Sequence, residues 1–163
     1  MMRALLSIAL SLAASCAGPG RIVAHSDPGD RVAVDRVLDG WHQAASEADG
    51  DAYFGAFTEG AVFLGTDASE RWSLAEFQAY AEPHFSKGRG WTYRPFDREV
   101  MFSPDGHTAW FDERLSSEKY GEVRGTGVLV FAGGDWKLAH YNMSFPVPNA
   151  LSLELVERIR AQP

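Results

Sequence analysis

The sequence predicts an α+β domain in which helices gather on one face of an antiparallel sheet. Three observations carry this. The segments up to Phe85 show helical spacing, broken by one short strand. From Trp91 onward, almost everything reads as strands. The last two strands flank Gly133-Gly134, a strong signal for a two-residue hairpin turn. Runs of helices followed by runs of strands place the helices over one sheet and do not alternate with its strands.

The first 29 residues are read separately from the domain. Residues 1–15 have the layout of a secretory signal: Arg3 as a basic start, then an apolar run from Leu5 to Ala14 that is too short to span a bilayer. Leu12-Ala13-Ala14-Ser15-Cys16 resembles a bacterial lipobox, with small residues before a Cys that would be lipidated. The alternatives are an ordinary signal cut near Ala14 or Ala17, and a cytosolic protein. Residues 16–29, rich in Gly, Pro, Ser and Ala, read as a tether, and residues 30–160 as one domain. The expected location is the bacterial cell envelope, lipid-anchored at Cys16 or periplasmic.

Asp30 is placed to cap a first helix. Val34, Val37, Leu38, Trp41, Ala45 and Ala48 then recur at helical spacing, until Gly50 stops it. Asp51 could cap a short second helix bearing Tyr53, Phe54 and Phe57. Ala61 to Leu64 reads as a strand. Ser73 and Glu76 form a capping box for a third helix, with Leu74, Phe77, Tyr80 and Ala81 on one face and Pro83 ending or kinking it. Strands are expected over Trp91–Phe102, His107–Ser117, Val123–Phe131 and Trp136–Phe145, with a type I turn at Ser103-Pro104-Asp105-Gly106. Leu151 to Ile159 suits a terminal helix.

Turn positions set register, and register sets faces. A Gly133-Gly134 turn puts Phe131 opposite Trp136, Leu129 opposite Leu138, Gly127 opposite His140 and Gly125 opposite Asn142. A three-residue turn at Lys119-Tyr120-Gly121 sets Phe111 opposite Leu129, Glu113 opposite Gly127 and Leu115 opposite Gly125. A turn centred on Pro104-Asp105 sets Phe96 opposite Glu113, Arg98 opposite Phe111 and Val100 opposite Ala109. One face then carries an apolar end and a polar end around two glycines. The predicted site is a chain Arg98–Glu113–His140, with Asn142 beside it, at the mouth of an apolar pocket containing Phe111. Trp72, Tyr80 and Phe85 would line its helix side. Glu113 would orient His140, whose reference pKa suits proton transfer near neutrality. The same groups could equally orient a ligand, or simply satisfy each other as a buried network. The opposite face, with Trp110, Thr126, Val128, Val130, Tyr141 and Met143, is too apolar for solvent. A homodimer interface or the C-terminal helix would cover it.

Composition narrows the function classes. Of the 163 residues 45% are hydrophobic and 23% charged, ordinary for a folded domain. Net charge is −7, and −8 without the leader, whose only charged residue is Arg3, so nucleic acid is a poor partner. Membrane contact would come from acyl chains at Cys16. That Cys is the only one, which rules out an intrachain disulfide and a Cys-based zinc site. Five scattered His residues show no metal spacing, and no Gly-rich phosphate loop is present. No cofactor is implied.

Five blocks in order carry a family resemblance: Tyr80-Ala81-Glu82-Pro83-His84-Phe85; Gly88-Arg89-Gly90-Trp91; Ala109-Trp110-Phe111-Asp112-Glu113; Gly121 through Leu129; and Trp136 through Asn142. Together, over Val32 to Val156, the chain resembles the SnoaL-like branch of the nuclear transport factor 2-like superfamily. The resemblance implies a cystatin-like roll, that is, a cone of curved antiparallel sheet wrapped around three N-terminal helices, with a cavity at the open end and frequent dimerisation. The superfamily includes cyclases, isomerases, dehydratases and non-catalytic domains, so fold alone gives no chemistry. Three functions stay open. One is binding of a small, mostly apolar molecule. A second is isomerase, dehydratase or cyclase chemistry through His140 and Glu113. The third is a non-catalytic dimeric assembly module.

Overall fold

The computed structural model describes residues 28–162, and side chains from Arg31 onward. The leader, most of the tether and the lipidation candidate Cys16 lie outside the described residues. Helix α1 (Pro28–Glu47) begins at Pro28, so Asp30 lies inside it and does not cap it. Val34, Leu38, Trp41 and Ala45 form its buried stripe. Ala48 takes a positive φ, and Asp49, not Asp51, caps α2 (Gly50–Gly55) by accepting from the Ala52 N–H. After β1 (Phe57–Leu64) and the short β2 (Arg71–Ser73), α3 (Leu74–Phe85) starts with the expected capping box of Ser73 and Glu76. It continues two residues past Pro83.

The meander follows as β3 (Arg94–Phe102), β4 (Thr108–Ser117), β5 (Gly121–Ala132) and β6 (Asp135–Ser144). Trp91 to Tyr93 precede β3 and are not strand. The six strands form one curved sheet in the order β2-β1-β6-β5-β4-β3. All pairs are antiparallel except β1 with β6, which runs parallel and brings Val62 beside His140 and Leu64 beside Asn142. The helices α1 to α3 fill the concave side, and their aromatic rings merge with those of the sheet into one core around Trp41, Tyr53, Phe57, Phe77, Phe111 and Tyr141. Short η1 (Asn149–Leu151) leads into α4 (Ser152–Arg160), none of whose residues is buried. Trp110 on the convex face remains 42% exposed, so α4 does not seal that face.

Register decides what the cone presents, and it departs from the sequence reading at four places. At Gly133-Gly134, both glycines have positive φ, and Phe131↔Trp136 and Leu129↔Leu138 pair as expected. Beyond them Ala139 is inserted as a β-bulge, so Val128, not Gly127, faces His140. One extra residue inverts every later side chain. Tyr141 and Met143 turn into the core, while His140 and Asn142 turn to the convex face. The β4–β5 turn falls one residue earlier than expected, which slides the pairing by two and preserves the faces: Phe111 lies opposite Gly127 and Glu113 opposite Gly125. In β3, Phe102 pairs with Ala109 and Val100 with Phe111, because the turn after Phe102 is longer than two residues. A second bulge then falls between Phe96 and Glu99, where Asp97 adopts a positive φ. Phe96 consequently points outward, stacked under Arg114, while Arg98 points in.

Candidate functional site

Two neighbouring features could act on a ligand: an aromatic cavity at the cone mouth and a buried polar network beneath a groove along α1.

The mouth cavity has a volume of about 530 Å³. Its helix side is a stack of rings. Trp72 lies 5.5 Å from Phe77 at 9°, and 4.8 Å from Tyr80 at 22°. Phe63 lies beneath, against Phe77. Trp91, packed on Phe77 and Phe85, Tyr93, Met143 and the β4–β5 turn with Tyr120 complete the lining. The charged lining is sparse, limited to Glu70, Glu118 and Lys119. Glu70 already accepts the Asp67 N–H. Ring faces of this kind can stack on flat molecules, beside a polar rim of Thr66, Glu70, Thr92, Ser117, Glu118 and Lys119. Trp72 and Tyr80 therefore stand where the sequence placed them, whereas Phe85 is buried in the core behind the wall.

The polar network centres on Glu113, which is fully buried. Its Oε2 accepts from Arg98 Nε at 2.8 Å, as the predicted Arg98–Glu113 pairing required. Its Oε1 lies 2.7 Å from His42 Nε2. Arg98 Nη1 also reaches Asp35 at 3.1 Å and Asp39 at 2.9 Å. Burial pushes the Glu113 carboxyl upward, but hydrogen bonds from His42 and Arg98, with the Arg98 charge, outweigh it and hold the group below its ordinary value. Glu113, and not Asp112, is thus the inward acid; Asp112 is exposed.

The histidine of this network is His42, not His140. His140 sits on the convex face and cannot meet Glu113, and Asn142 accompanies it there, so the predicted catalytic pair and its Asn neighbour are not assembled. His42 was legible in principle, four residues after Leu38 on the buried stripe of α1. Its polar ring sits among apolar members of that stripe, the one signal that sets it apart.

The two glycines also serve a different purpose. A Cβ at Gly125 would run into the Tyr141 hydroxyl, and one at Gly127 would lie 2.6 Å from the His140 carbonyl oxygen and 2.7 Å from the Phe111 ring. Their missing side chains are filled by Tyr141 and Phe111, and Phe111 is itself buried. Gly125, Gly127 and Phe111 thus belong to the core beneath the mouth and do not line a cavity. Burial, then the nearby Glu113 carboxylate, push the Tyr141 hydroxyl far above its ordinary pKa.

Among the described residues, no three His, Cys, Asp or Glu side chains cluster as a metal set, and no helix is long and apolar enough to cross a membrane.

Comparison with known proteins bears on the whole of this architecture. A search of curated proteins finds no match. An NTF2-like protein of unknown function from Pseudomonas putida KT2440 superposes with a TM-score of 0.63 at 15% identity, covering 76% of this chain and 91% of its own. A cystatin-like-fold domain of unknown function from Nostoc punctiforme gives 0.64 at 13% identity, covering 84% and 90%. A protein of the NTF2-like family from Streptomyces avermitilis, proposed to be a dehydratase, gives 0.62 at 14%, covering 74% and 98%. At such identities the likeness is one of fold. Residues 34–148, from the buried stripe of α1 past the end of the sheet, match the SnoaL-like domain profile, and the chain belongs to that family.

Proposed function

We propose that this SnoaL-like protein is exported, is anchored through a lipid at Cys16, and holds a small, mostly apolar, planar molecule in the mouth of its cone. The observation that carries the reading is the Trp72–Phe77–Tyr80 ring stack along one wall of a cavity of about 530 Å³. A pocket of that size suits one small molecule, and stacked rings recognise flat apolar surfaces without needing many polar contacts. The sparse charged lining favours holding over proton transfer. The dehydratase name of the Streptomyces relative keeps enzyme chemistry in the family, but His140 and Glu113 lie on opposite faces of this sheet and offer no shared acid/base pair.

Native mass spectrometry of protein purified gently from a bacterial host tests the reading. A bound small-molecule mass is expected, and Trp72→Ala should weaken its retention about tenfold, the equivalent of roughly 1.4 kcal/mol of lost stacking. A bare mass, together with tryptophan fluorescence that flat apolar probes do not quench, would sink it.

A specific observation also favours self-association. Trp110 is 42% exposed on a convex face that carries Val62, Leu64, Val128 and Val130. Pairing two such faces in a homodimer would bury it. This is compatible with an occupied mouth, which opens elsewhere.

A further inference from the structure

We propose that the groove between α1 and residues 92–95 is a second binding site, taking an uncharged hydroxylated molecule whose O–H is accepted by Nδ1 of His42. The groove has a volume of about 560 Å³ and is lined by Asp39, His42, Gln43 and Ser46 of α1, facing Thr92 to Pro95. It lies on the other side of the Thr92–Tyr93 segment from the mouth cavity, since both residues line both spaces.

The chemistry follows from what holds His42. An ionised carboxylate only accepts hydrogen bonds. Both oxygens of Glu113 are engaged, Oε2 by Arg98 Nε–H and Oε1 by His42 Nε2, so the proton of a neutral His42 ring sits on Nε2. That leaves Nδ1 with a lone pair. Nδ1 has no hydrogen-bond partner among the described residues, although the ring is only 7% exposed. Trp41 packs its ring 4.8 Å from the imidazole, and the 2.7 Å contact of Nε2 with Glu113 Oε1 sets which nitrogen faces inward. The result is a buried ring, fixed in one tautomer, that presents an acceptor to a groove large enough for a small molecule.

The rim decides what charge is admitted. Asp39, bound to Arg98, and the lone pair on Nδ1 both disfavour an anion. Arg94 on the facing wall disfavours a cation. A neutral O–H donor meets neither objection, and Tyr93 and Pro95 give its carbon frame an apolar wall.

The test uses the full chain labelled with ¹⁵N and phenol as the probe. Long-range ¹H–¹⁵N correlation at neutral pH reads both ring nitrogens of His42. Nε2 is expected to carry the proton and Nδ1 to be bare. Phenol should shield Nδ1 saturably while leaving exposed His84 unmoved, and Pro95→Ala, which thins the apolar wall, should weaken that response. Glu113→Gln should let the two tautomers mix, drawing the two resonances together. Should that variant fail to fold, the titration of the native chain still decides. A proton on Nδ1, a doubly protonated ring, or an Nδ1 signal that phenol leaves in place overturns the proposal. The readout is local to His42, so phenol held at the mouth, which would move Trp72 signals instead, neither supports nor rescues it.

Discussion

At the residue scale, Glu113 is the side chain on which most depends. It joins α1 to the sheet through His42 and Arg98, with no water-exposed surface of its own. Removing it takes from nearly buried Arg98 its one buried partner and leaves only the more exposed Asp35 and Asp39, so Glu113→Ala should destabilise the fold by about 3 kcal/mol, read by urea denaturation. Loss of less than ~1 kcal/mol would mean that the network adds little. The pH dependence has a definite sign. The folded carboxyl titrates below its ordinary value of 4.5, so its contribution is complete above that pH and is lost as pH falls through the lower folded value. Acid titrations should show the Glu113→Ala variant losing less stability over that window than the native chain. Gly125 offers a second test. The Tyr141 hydroxyl is the atom that a Cβ there would meet, and it makes no hydrogen bond among the described residues. Gly125→Ala should therefore cost about 1–3 kcal/mol, and adding Tyr141→Phe should recover part of it. Strict additivity of the two changes in thermal melts would show that the hydroxyl is not the obstacle.

At the scale of elements, the bulge at Ala139 separates what could be read from the sequence from what could not. Alternation and turn chemistry identified four strands, the Gly133-Gly134 hairpin, the α3 capping box and the inward acid Glu113, because each depends on residues close in sequence. The same reasoning placed Trp72 and Tyr80 on the mouth wall and joined Arg98 to Glu113. It failed for His140, Asn142, Tyr141 and Met143 together. A single inserted residue inverts all four, and neither Lys137 nor Ala139 carries the Gly or Asn that would announce a bulge. What fixes the bulge is tertiary: the Leu138 N–H bonds the Ala56 carbonyl, and β1 pairs with both halves of β6 across the break. The helical spacing of His42 places it on the buried stripe of α1, but its pairing with Glu113 is set by packing of α1 on the sheet, which no local pattern encodes. Inserting one residue between His140 and Tyr141 would swing fully buried Tyr141 to the outside. The insertion should abolish cooperative unfolding in circular dichroism melts. A variant that melts as sharply as the native chain would show that β6 can re-register.

At the scale of the whole molecule, the concave side is filled by helices and rings, the mouth stays open, and the convex face is clothed in Val, Leu and Trp with no covering element among the described residues. If two copies meet there, Trp110→Asp should shift the protein to monomer, by at least tenfold in dissociation constant, in sedimentation equilibrium. An unchanged dimer would place the interface elsewhere, for instance on α4, whose Leu153 is 80% exposed. The parallel pairing of β1 with β6 has a consequence in time. Phe57 finds its partner only at Leu138, near the end of the sheet. During synthesis β1 therefore leaves the ribosome long before the strand that completes it, and α3, which follows it, has no finished sheet to pack against. Long-range pairing of this kind is slow to form and leaves strand edges open meanwhile. The nascent chain should thus stay loose and extended until its last third has emerged, a state that a chaperone can hold and that a narrow channel can thread.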